Sequence, residues 1–208
     1  MKRNKKVALT ATALSLSALL AACGGEETTS SGDGEKELDL LITSEPPSLH
    51  PQLASDTTSG AILESTFEGL TTMVEGEPVL AAAEDYKVSD DLLTYTFTLR
   101  DAQWSNGEKV TAEDFAYAWK WALNPENASE YSTILYPIKG AEEYNNGVGT
   151  AEDVAINVID EKTLEVTLNA PTPYFLELTA FKTFYPIHKA TAEADPKWYT
   201  EADNYVSN

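Results

Sequence analysis

Apolar and polar positions alternate most cleanly at Leu93, Tyr95, Phe97 and Leu99, with Thr94, Thr96 and Thr98 between them. A period of two with β-branched residues on the intervening face predicts a half-buried strand. Leu164, Val166 and Leu168 repeat the pattern. Leu38 to Ile42 is a short apolar run that reads as a buried strand, closed by Pro46 and Pro47 because proline lacks the ladder donor. The period changes at Ile62, Leu63, Thr66, Phe67 and Leu70, which share one helical face. Phe115, Ala118, Trp119 and Ala122 make a second helical stripe. Thr111 is placed to cap that helix, with Asp114 in its first turn and Asn124-Pro125 as its stop. Ser105-Asn106-Gly107 marks a turn, and Pro171 and Pro173 precede a short helix from Tyr174 to Phe181. Strands and helices mix without a βαβ rhythm, so the expected class is α/β or α+β.

The amino terminus follows another logic. Lys2, Arg3, Lys5 and Lys6 precede Val7–Ala22, which carries no charge. That run is too short and too rich in Ser and Thr for a bilayer span, and it has the form of a secretory signal. Leu20-Ala21-Ala22-Cys23 ends it and resembles the lipobox of bacterial lipoproteins. The resemblance implies that Cys23 is lipidated and becomes the new terminus once 1–22 is removed. Gly24 to Glu35 contains only Gly, Ser, Thr, Asp and Glu, a composition that buries nothing and serves as a tether over 23–36.

Charge narrows the function. The 208 residues carry a formal charge of −20, and without residues 1–22 the balance is 10 basic against 34 acidic, or −24. Such a surface is repelled by phosphate backbones, which excludes a nucleic-acid role. Cys23 is the sole cysteine, and His50 and His188 are the only histidines. No phosphate loop, dinucleotide fingerprint, nucleophile elbow or metal-ligand spacing is present. From these residues the expectation is a tethered, acidic, non-enzymatic domain outside the cell, with no cofactor and no metal.

Leu80 to Pro125 reads as an Ala-rich start, a Ser-Asp-Asp turn, an alternating strand ending Leu99-Arg100, then Trp104-Ser105-Asn106-Gly107 and Val110-Thr111-Ala112-Glu113-Asp114-Phe115 opening a helix. This order, over about 46 residues, resembles the signature region of the family 5 extracellular solute-binding proteins, especially the oligopeptide-binding members. Ser48-Leu49-His50-Pro51, with histidine in a usually acidic position, Phe67-Glu68-Gly69-Leu70, Pro173-Tyr174-Phe175 and Tyr205-Val206-Ser207-Asn208 extend the likeness to everything from Leu38 onward.

The resemblance implies a two-lobed, class C periplasmic-binding-protein-like fold, present here in part. Residues 37–66 and 191–208 would belong to a discontinuous lobe I, and 67–190 would form the small second lobe on the lobe I side. Residues 67–190 are expected to fold largely alone, with the flanks loose. The implied function is capture of an extended oligopeptide between lobes for an ABC permease complex, at the outer face of the membrane to which Cys23 anchors the protein. Relatives that take nickel chelates, haem or sugars, and receptor lipoproteins for signalling peptides, are the alternatives. By position, Ala54, Ser55, Asp56 and Thr57 fall where family members contact the ligand main chain, and Tyr131 matches a tyrosine near the ligand. The competing reading is a plain loop at 54–57 and a packing role for Tyr131.

Overall fold

The computed structural model describes residues 41–42 and 44–208. The signal, Cys23, the tether and most of the expected Leu38–Ile42 strand lie outside them. Leu41 and Ile42 are exposed and belong to no strand.

Residues 42–208 form one compact unit. Its centre is a four-stranded antiparallel sheet of order β3-β4-β6-β5, built from β3 (Ala83–Val88), β4 (Thr94–Leu99), β5 (Ile156–Asp160) and β6 (Thr163–Thr167). The register sets Tyr95 opposite Val166 and Phe97 opposite Leu164, so the apolar residues of both central strands share a face. On the other face Thr94 pairs Thr167, Thr96 pairs Glu165 and Thr98 pairs Thr163, and these residues are half-buried. The alternation read from Leu93 to Leu99 is therefore realised from Thr94 to Leu99.

A separate hairpin joins β1 (Thr71–Val74) and β2 (Glu77–Leu80). The sequence reading missed it, and missed β3. Glu75 and Gly76 form its turn with φ of 52° and 89°. Two positive φ values give the twist that a two-residue hairpin needs.

Helix α1 (Thr57–Thr66) is shorter than the apolar stripe suggested: Phe67 is its extended C-cap, and Leu70 lies beyond it. Both are nonetheless buried, because chain reversal returns them to the core that the helical face already meets. Helix α2 (Ala112–Leu123) follows its reading closely. Phe115, Ala118, Trp119 and Ala122 are fully buried, and the Thr111–Asp114 capping box starts the helix. α3 (Ala141–Asn145) follows. The helix expected over 174–181 shrinks to α4 (Phe175–Leu178), then a 3-10 turn at Lys182–Phe184. α5 (Lys189–Ala194) ends the series.

The core is aromatic. Trp119 donates its indole N–H to the Phe184 carbonyl at 2.7 Å, and Tyr95 lies 4.9 Å from Phe175 between ring centres. The flanks join it, against the expectation that they would be loose. Trp198 is 2% exposed and stacks on Tyr205 at 5.7 Å. Ser105 N donates to the Ser207 carbonyl at 2.7 Å. The Asn208 side chain brackets Glu68, accepting from its N–H and donating to its carbonyl, each at 3.1 Å. Patterning does not reveal this closure, since it depends on aromatic side chains far apart in sequence.

Candidate functional site

Pro51 and the turn after it bring the expected contact segment to the start of α1. Ala54 is buried and Ser55 is exposed. Asp56 is the N-cap: its carboxylate accepts from Ser59 N at 2.9 Å and from Ser59 Oγ at 2.6 Å. The Ser59 hydroxyl and backbone N–H hold the Asp56 carboxyl below its ordinary range. Thr57 is the first helical residue and is exposed. Asp56 thus has a structural task as a cap, while Ser55 and Thr57 remain open.

Gln52, which the sequence reading did not single out, places this segment. It is 1% exposed. Its Nε2 donates to the carbonyls of Tyr185 at 2.8 Å and Thr183 at 3.3 Å, and its own carbonyl accepts from Ser129 Oγ at 2.6 Å. The Gln52 side-chain amide therefore ties the segment before 54–57 to the 181–185 stretch, and its main-chain carbonyl ties it to the loop that carries Tyr131. Gln52 Oε1 and Thr183 Oγ1 are buried without a partner among the described residues.

Tyr131 is half-buried and meets Phe181 edge to face, 5.4 Å between centres. Beside Tyr131 lies Lys182, also missed. Its Nζ stands 4.2 Å from the Phe181 ring centre and 4.9 Å from that of Tyr131. Burial pushes the Lys182 amine down, and the charges of Glu64 and Asp56 oppose that. Burial also pushes the Tyr185 hydroxyl up to about 12, with Glu64 adding to it. A legible signal existed: Lys182 is the only charge in Ala180–Ile187. The structure thus brings Tyr131, Phe181 and Lys182 together, and the Ser129–Gln52 bond ties their neighbourhood to the chain just before 54–57. Three open clefts of about 510 to 540 Å³ lie elsewhere, none lined by 54–57 or Tyr131. A half-site of this kind offers polar backbone at a helix start, an aromatic plane and one cation.

The two histidines take structural places. His50 is 2% exposed, lies 4.2 Å from Trp121 and packs against Trp198 and Tyr199. Burial lowers its pKa to about 3, so it is neutral, and its Nδ1 accepts from Gln52 N at 3.3 Å. His188 caps α5 and contacts Glu108 at 3.0 Å. Among the described residues no cluster of His, Cys, Asp and Glu could hold a metal ion. No described helix is long and apolar enough to cross a membrane.

Residues 77–208 match the model of bacterial extracellular solute-binding proteins, family 5 Middle. The oligopeptide-binding protein OppA of Bacillus subtilis is 52% identical over 91% of this chain and 36% of its own length. The dipeptide-binding protein DppE of the same organism is 39% identical over the whole chain and 40% of its own length. A Listeria monocytogenes OppA bound to peptide superposes with a TM-score of 0.78 at 37% identity, covering 80% of this chain and 34% of that one. The chain thus spans roughly 36–40% of the length of the curated relatives it matches.

Proposed function

Since the chain belongs to the family 5 bacterial extracellular solute-binding proteins, we propose that it supplies one wall of the peptide-capturing component of an ABC-type importer. The observation that carries this is the superposition of four-fifths of the chain on a peptide-bound OppA. In this reading an extended peptide lies against the 54–57 turn and Tyr131. Main-chain hydrogen bonds give affinity, and hydrated pockets tolerate varied side chains. Closure of a second lobe then presents the loaded form to the permease. Binding alone suffices, and the protein is a carrier rather than an enzyme.

We assign 37–66 and 191–208 to lobe I and 67–190 to the small second lobe. Contact between the two outer segments supports this: the Tyr205 hydroxyl reaches the Leu49 carbonyl at 3.4 Å, and Trp198 packs on His50 at 5.6 Å. Lipidation of Cys23 would hold the protein at the outer face of the bacterial membrane, with 24–36 as the tether.

Calorimetry on the full-length protein with short peptides tests the reading. Tyr131→Ala should weaken binding several-fold, as loss of about 1 kcal/mol does, and leave the melting curve nearly unchanged. A large loss of stability with intact affinity would return Tyr131 to packing, and no binding of any peptide would remove the proposal.

A further inference from the structure

The Lys182 stem is buried, with the residue 9% exposed, while its ammonium reaches solvent and has no hydrogen-bond acceptor and no ion-pair partner among the described residues. Lys109, Lys162 and Lys189 each hold a carboxylate at 2.9 Å or less. Lys182 instead rests on the faces of Phe181 and Tyr131. The charges of Asp56 and Glu64 act on it from beyond ion-pair distance, and Asp56 is committed to Ser59.

Ring faces compensate only part of the hydration a cation loses on burial. At a tip that reaches solvent, water or an anion completes the shell. A lysine held on the Tyr131 and Phe181 rings, with no carboxylate of its own among the described residues, is available to an anion supplied by a ligand. We propose that Lys182 binds a carboxylate of the captured peptide, either an acidic side chain or the terminal carboxylate. This rests on the peptide-binding reading above and adds a selectivity to it. The selectivity is positional. The protein carries a net charge of −20, so an acidic peptide residue placed away from Lys182 meets a repulsive surface.

The test is calorimetry on the full-length protein with pentaalanine, with its single Glu and single Gln variants at each position, and with C-terminally amidated pentaalanine. For an acidic side chain, Glu should bind about tenfold tighter than Gln at one position, the scale of a charge-assisted pair. For the terminal carboxylate, amidation should cost about tenfold instead. Lys182→Met keeps the stem on the rings and removes the charge. It should abolish whichever preference is found. Lys182→Arg should retain the preference.

Equal Glu-to-Gln ratios and equal amidation effects in wild type and Lys182→Met would overturn the proposal. If the variants melt early, the wild-type data decide: ratios near one at every position with no amidation effect overturn it. Failure of every peptide to bind would remove the peptide reading and this inference together. Binding of all of them without preference would remove the inference alone.

Discussion

Replacing Asp114 by Ala removes the most heavily used buried carboxylate in the described structure. Its Oδ2 accepts from Thr111 N and Thr111 Oγ1, each at 2.9 Å, and from Trp104 Nε1 at 3.2 Å. Its Oδ1 accepts from Lys189 N at 3.1 Å. One side chain thus starts α2, fixes the Trp104 turn and starts α5. In the Ala variant three N–H donors lose their acceptor: Thr111 N, Trp104 Nε1 and Lys189 N. At about 1 kcal/mol for each orphaned donor the loss is about 3 kcal/mol. With a urea m-value near 2 kcal/mol/M, the midpoint should fall about 1.5 M with m unchanged. Thr111→Ala is the control, because it leaves the bonds to Trp104 and Lys189 in place, and it should cost only about 1 kcal/mol. The Trp104 indole resonance in a proton–nitrogen spectrum should move in Asp114→Ala and stay in Thr111→Ala. A midpoint drop under about 0.5 M for Asp114→Ala, or equal losses for both variants, would refute the reasoning.

Other consequences are equally direct. His50 is held neutral with its pKa near 3, so between pH 6.5 and that value the unfolded chain binds the extra proton. Stability should fall by about 1.4 kcal/mol per pH unit below 6.5, roughly 2 kcal/mol by pH 5. In His50→Phe that part of the slope, read from urea midpoints at pH 7.5 and 5.0, should vanish. At Gly69 an added Cβ would stand 2.6 Å from the Thr179 carbonyl oxygen, so Gly69→Ala should cost about 2 kcal/mol in thermal unfolding. A loss below about 0.5 kcal/mol there would mean the hairpin yields without cost. Cys23→Ser should release the protein from membranes in detergent partitioning and abolish incorporation of labelled lipid; unchanged association would end the lipoprotein proposal.

The residues that carry the family resemblance turn out to be folding residues. In Phe67-Glu68-Gly69-Leu70, Phe67 and Leu70 are buried, Glu68 pairs with Arg100, and Gly69 lets the backbone pass the Thr179 carbonyl. Trp104 fills the core and donates to Asp114, and Gly107 takes a φ of 87° in the turn that follows. A signature of this kind identifies the fold strongly and the ligand only by association.

Periodicity alone located β4, β6 and α2, because their side-chain rhythm reports a face, and a face is a local property. The capping box at Thr111 and Asp114 was legible for the same reason: its partners lie three residues apart. The β1–β2 hairpin was not legible, since Met73, Val74, Val79 and Leu80 are largely exposed and show no inward alternation. The site was half legible. Resemblance pointed to 54–57 and Tyr131, but the roles of Gln52 and Lys182 depend on groups 77 to 133 residues away for Gln52 and on the Tyr131 ring for Lys182. The sequence by itself determined which strands and helices have an inside. Only the tertiary structure decided which buried polar groups find partners there, because that depends on distances across the chain that no local pattern encodes.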